Sequence, residues 1–133
     1  MRKAVTLLVL VLALVACGES YETPDNALDS GRQFIESIFK GNFKRARQLM
    51  LPDADNQKLL DEKLANDFRN REPLERDRLR NASIVINEID NANDSVTVIN
   101  FKNSYDDRPA VLKVIKRNGQ WLTDLKYTFS GNL

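Results

Sequence analysis

Histidine is absent from this chain and cysteine occurs once. Histidine is the usual general base near neutral pH and the commonest metal ligand. Without it, and with no second cysteine, a Ser-His-Asp triad, a Cys-His dyad and an ordinary zinc site are all excluded. A single cysteine also rules out an internal disulfide, so the apolar core alone must hold the fold. Glycine (5) and proline (4) are scarce among the 133 residues, and no low-complexity segment stands out beyond the N-terminal apolar run. No charge sign dominates: 20 basic side chains stand against 19 acidic ones. A near-neutral chain has no electrostatic case for binding nucleic acid.

What is present begins at the N-terminus. Met1-Arg2-Lys3 is a positive n-region, and Ala4 to Ala16 is apolar except for Thr6. That run of about 13 residues suits a signal h-region and is short for a spanning helix of roughly 20. Small residues, Val15 and Ala16, precede the only cysteine, Cys17. Leu14-Val15-Ala16-Cys17 resembles the lipobox of bacterial lipoproteins. The resemblance implies cleavage before Cys17, diacylglycerol on its thiol and often a third acyl chain on the new amine. The expected partner of Cys17 is therefore a membrane. Two or three chains hold a protein stably, at roughly 0.8 kcal/mol per buried methylene. Gly18 follows the cysteine with no Asp, which under the enterobacterial sorting pattern favours the outer membrane over the inner. The expected location is the bacterial envelope, with the periplasmic face and the cell surface both open and the periplasmic one preferred. Removal of residues 1–16 takes away Arg2 and Lys3, leaving 18 basic and 19 acidic side chains on 117 residues. That length is one domain, expected over 24–130 behind a lipidated cysteine and tether at 17–23.

Helical spacing then dominates. Thr23-Pro24-Asp25 reads as a helix start. Ala27, Leu28, Gly31, Phe34, Ile35, Ile38 and Phe39 follow as one apolar stripe, and Gly41 as the left-handed stop. Asn42 is placed to cap a second helix through Met50, and Leu51-Pro52 to end it. A third helix is expected from about Asp55, with Leu60, Leu64 and Phe68 on one face and Pro73 interrupting it or opening a last short turn. Arg69 to Arg80 carries five arginines interleaved with Glu72, Glu75 and Asp77, a solvated mixed-charge surface. The period then changes to that of strands: Ile84–Ile89, Val96–Phe101, Val111–Ile115 and Trp121–Phe129. Turns are expected at Asp90–Asp94, Asn103–Pro109 and Asn118-Gly119, the last a type I′ hairpin signal. Three helices followed by a four-stranded antiparallel meander make an α+β fold.

The Lys40-Gly41-Asn42-Phe43 turn with Ala46, and the Asn118-Gly119-Gln120-Trp121 hairpin behind a lipobox, resemble small bacterial lipoproteins of the nuclear transport factor 2-like superfamily. That superfamily includes SnoaL-type cyclases and ketosteroid isomerases. The resemblance implies a cone, with a curved sheet wrapped around the first helix and a pocket at its open end. No catalytic residue of the superfamily maps onto a numbered position here, and fold likeness alone does not license an activity.

Within a Trp121–Phe129 strand, Trp121, Thr123, Leu125, Tyr127 and Phe129 share one face. Trp121, Tyr127 and Phe129 are thus candidates to line an apolar ligand pocket, or else are core. Asp124, on the opposite face, is the candidate carboxylate. Tyr105-Asp106-Asp107-Arg108 is a polar connection able to bind a cation, a glycan or a partner loop. The aspartates around 53–55 and 90–94 lack the glycine and glutamate of a calcium loop, so they read as a helix cap and a turn. The leading expectation is a lipid-anchored, non-catalytic envelope module, without cofactor or metal, that binds a small apolar ligand or an envelope protein. The alternatives are an isomerase- or cyclase-type enzyme with a carboxylate base, and an adaptor or inhibitor that acts through a sheet edge.

Overall fold

A computed structural model describes residues 21–131. The signal segment, Cys17 and its expected lipidation lie outside the described residues. Helices come first, then an antiparallel meander in which strands neighbour one another in sequence order, then one helical turn. The α+β class and the four-stranded sheet are as expected; the number and limits of the helices are not.

Helix α1 (Ala27–Phe39) starts three residues later than Thr23-Pro24-Asp25 suggests. Asn26 is extended and its side chain accepts from the Asp29 N–H at 2.8 Å, so asparagine is the working N-cap. Ala27, Gly31, Phe34, Ile35 and Phe39 are buried, while Arg32, Glu36 and Lys40 face solvent. Gly41 has φ +71°, and Asn42 caps α2 (Phe43–Gln48) by accepting from the Arg45 N–H. Both follow from the local residues alone.

Asp53 caps α3 (Ala54–Leu59), which runs through a π-helical turn at Leu60–Ala65 into α4 (Asn66–Asn70). The π turn lays residues five apart over each other, so Ala65 joins Leu60 and Phe68 in the core while Leu64 is only half-buried. Pro73 opens a separate helix, α5 (Pro73–Arg80), as a first-turn proline does. Surface ion pairs Arg71–Asp67 and Arg80–Asp77 confirm this region's mixed-charge reading.

Strands β1 (Ile84–Asn93), β2 (Val96–Asn103), β3 (Ala110–Arg117) and β4 (Gln120–Asp124) form the sheet. β1 is longer than expected and takes in most of the assumed Asp90–Asp94 turn, which shrinks to Asp94-Ser95. It bears two register shifts, at Ile86/Glu88 and Asn91/Asn93, and such bulges bend a strand. Asn118 (φ 51°) and Gly119 (φ 77°) both take the positive φ of a type I′ turn. α1 lies on the sheet at Gly31, where even a Cβ would run into the side chain of Ile99 and touch those of Val114 and Leu112. The buried Ser30 hydroxyl donates to the Trp121 carbonyl at 2.7 Å and fixes α1 over β4. The edge of β4 is covered by residues 49–51: Thr123 N–H donates to Leu49 O (2.8 Å) and Leu51 N–H to Thr123 O (2.9 Å).

The last expected strand is cut short. β4 ends at Asp124 and α6 (Leu125–Thr128) follows, so the alternation over Trp121–Phe129 does not lie on one sheet face. Two side chains, a carboxylate and an amide, explain this. Asp124 accepts from the Lys126 N–H, as an N-cap does. Asn56, fully buried on α3, accepts from the Leu125 N–H at 2.6 Å and donates to Asp124 (3.2 Å) and Asp53 (2.8 Å). The Leu125 amide is thereby withdrawn from any strand ladder.

The N-terminal approach is also docked rather than free. Buried Arg45 donates to Gln33 Oε1 (2.6 Å) and the Glu22 carbonyl (3.1 Å), with its guanidinium 4.6 Å from the Tyr21 ring centre. Among the described residues the buried apolar core lies between Ala27 and Leu125. A chain beginning at Gly18 therefore keeps all of it, at a length that ordinarily folds alone.

Candidate functional site

An apolar-lined cavity of about 240 Å³ lies between α1, α4, the inner face of β2–β3 and α6. Its floor is Phe34, Ile35, Leu112 and Leu125, each at most 2 % exposed. Ile38, Phe68, Leu79, Phe101 and Ala110 complete the apolar wall. α1 supplies the floor because its stripe faces the sheet; Leu112 supplies it because inward residues of β3 alternate. Leu125 reaches it only because α6 turns where a strand was expected.

Four charged side chains converge on this cavity. Asp67, Arg71, Asp106 and Arg108 line the cavity and also a shallow depression outside it with Asn70, Glu75 and Tyr105. Asp67 and Arg71 are one helical turn apart on and just after α4, and Arg71 Nε donates to Asp67 at 3.1 Å. The β2–β3 loop is built on Asn103. Its side-chain oxygen accepts from the Tyr105 and Asp106 N–H groups (both 2.8 Å), and its nitrogen donates to Asp106 Oδ1 at 2.9 Å. The same Asp106 oxygen accepts from the Arg108 N–H at 3.1 Å. Asp107 takes φ 59° and pairs with Lys102, pointing the loop's other acid away from the cavity. Both carboxylates on the cavity wall thus have partners. The Arg108 guanidinium has no ion pair or hydrogen-bond acceptor among the described residues.

The four residues singled out from sequence lie elsewhere. Trp121 is half-buried on the inner face beneath the Lys116 ammonium (5.6 Å). Tyr127 sits under Lys113 (5.6 Å), and Phe129, 41 % exposed, borders a surface depression with Lys126. Asp124 is an α6 cap bonded to Asn56, and none of the four lines the cavity. Their common face depended on a continuous strand, and the turn into α6 removes it. Hydrogen bonds from the Asn56 backbone and side chain, helped by Lys126 and opposed by slight burial, hold the Asp53 carboxyl below the usual carboxylate range.

Sequence reading noted the Tyr105–Arg108 loop but not its place at a cavity mouth. Asp67 and Arg71, at ion-pair spacing on a helix, were the other half of the signal. Among the described residues no cluster of His, Cys, Asp and Glu could hold a metal ion, and no helix is long and apolar enough to cross a membrane. Comparison with known proteins finds no matching family model, no matching curated protein and no matching solved structure.

Proposed function

We propose that this chain is a lipid-anchored bacterial envelope protein whose domain is a non-catalytic binding module, with a small ligand seated in the cavity between α1 and the sheet. One observation carries the reading: an apolar-lined cavity on which four charged side chains, Asp67, Arg71, Asp106 and Arg108, converge, the same four that line the depression outside it. Ligand sites have this make-up, an apolar lining with a few convergent polar groups. Proton abstraction would call for a carboxylate free of partners deep among the apolar groups. Asp67 is instead exposed and held by Arg71, and Asp106 is held by Asn103, which favours binding over chemistry. The two β1 bulges and the seat of α1 on the sheet are consistent with a cone of nuclear transport factor 2-like type, and that kinship is part of the proposal. The anchor rests on the order of n-region, h-region, small residues and Cys17.

Two measurements test the two halves. Cells grown with labelled palmitate should label the full chain and not a Cys17→Ser variant; equal labelling, or none in either, refutes the anchor. Native mass spectrometry of residues 18–133 after incubation with an envelope extract should show one retained small-molecule mass. A co-purifying protein with no such mass would favour the adaptor reading instead.

A further inference from the structure

We infer that the cavity takes a single-chain amphiphile with an anionic head, its tail on the Phe34–Leu112–Leu125 floor and its carboxylate or phosphate at Arg108. The inference deepens the binding reading above and rests on it. Size restricts the tail. At about 240 Å³ the cavity falls below the roughly 300 Å³ where pockets for drug-sized ligands begin, so it has room for one short chain and not for two. Polarity sets its direction, because the floor residues are apolar and buried whereas the four charged lining residues also face the depression outside.

The sign of the head follows from which mouth groups are already engaged. Asp67 is taken by Arg71 through both Nε and Nη2. Asp106 accepts from the Asn103 side chain and the Arg108 backbone through Oδ1, which commits that oxygen to fixing the loop. Arg108 alone among the four offers a guanidinium fork with no partner among the described residues. A planar fork at the rim of an apolar cavity is matched to a carboxylate or phosphate, which it holds through two parallel hydrogen bonds. Its place next to Pro109 and Ala110, both on the cavity wall, keeps the head beside the tail.

The test uses residues 18–133, shown to be folded by a cooperative melt, titrated with octanoate, 1-octanol and octyltrimethylammonium at pH 7.5. Amide shifts of Ala110 and Leu112 report binding in the cavity. Octanoate should bind at least roughly tenfold more tightly than octanol, the range of a charge-assisted hydrogen bond, with the cation weakest. Arg108→Gln should erase the preference for octanoate and leave octanol unchanged. Arg117→Gln, the same charge loss on the β3–β4 hairpin, should alter neither. Octanol and octanoate binding alike, with no effect of Arg108→Gln, would overturn the headgroup assignment while the cavity reading stood. Tightest binding of the cation would overturn it in favour of the carboxylates. No shift with any of the three would bring down both readings.

Discussion

Replacing Gly31 by alanine tests how α1 is seated on the sheet, and so how the cavity floor is formed. A Cβ at residue 31 would stand 2.5 Å from Ile99 Cδ1, and 3.5 and 3.6 Å from Val114 Cγ2 and Leu112 Cδ2. Carbon atoms rest at about 3.5–4.0 Å, so the first contact is an overlap of about 1 Å and the other two are ordinary. Ile99 is fully buried, which leaves its terminal methyl little room to swing aside. Overpacking of this kind costs about 1–3 kcal/mol. Alanine's better helix propensity returns up to about 1 kcal/mol. Gly31→Ala should therefore lower stability by about 1–2 kcal/mol. Ile99→Val deletes the clashing atom, and alone should cost about 0.5–1.5 kcal/mol. In the double variant the new methyl occupies the space Cδ1 vacates, so the two losses should not add. Urea unfolding of residues 18–133, followed by circular dichroism, should give a favourable coupling of at least about 1 kcal/mol. Additivity within about 0.5 kcal/mol, or stabilisation by Gly31→Ala alone, would refute the close approach of helix and sheet.

Asn56→Leu keeps the side chain's size but strands the buried Leu125 N–H and frees Asp124, so it should cost about 3 kcal/mol; hydrogen exchange at Leu125 should accelerate, and unchanged exchange would remove Asn56 from its role in ending β4. Asp53 has a folded-state pKa below its model value of 3.8. Its contribution to stability is thus complete above that value and fades as pH falls through the lower folded-state pKa. Asp53→Asn should flatten the acid limb of the stability profile between pH 6 and 2.5; an unchanged limb would contradict the assignment. Gly41→Ala meets Phe68 Cε1 at 2.5 Å with φ +71°, whereas Gly119→Ala has φ +77° and open space. Both pay about 1–2 kcal/mol for the left-handed backbone, but only the first adds a clash, so its midpoint should fall further. Equal losses would place the cost in the backbone alone.

The parts of this fold that could be read in advance are the local ones. The α1 stripe, the Gly41-Asn42 junction and the Asn118-Gly119 turn each depend on residues within one or two turns of chain. The end of β4 does not. Trp121 to Phe129 alternates as a strand should, and the residue that stops it, Asn56, lies 69 positions before the amide it captures. The π turn at Leu60–Ala65 is similarly hidden, since four-residue spacing of Leu60, Leu64 and Phe68 suits an α-helix equally well. The candidate site was half visible. Asp106 with Arg108 stands out as a charged loop, whereas Asp67 and Arg71 carry the spacing of a helical ion pair that sequence reading missed, and the meeting of the two at one cavity is a product of α4 lying beside the β2–β3 connection. The apolar residues first singled out, Trp121, Tyr127 and Phe129, were aromatic and alternating, which marks packing surfaces as readily as pockets.

The most direct test of the central claim is a crystal structure of residues 18–133 grown with octanoate. The account predicts an alkyl chain lying between Phe34, Leu112 and Leu125, with its carboxylate within hydrogen-bond distance of Arg108. A cavity closed by those side chains, or octanoate seated only on the outer face of the sheet, would contradict it.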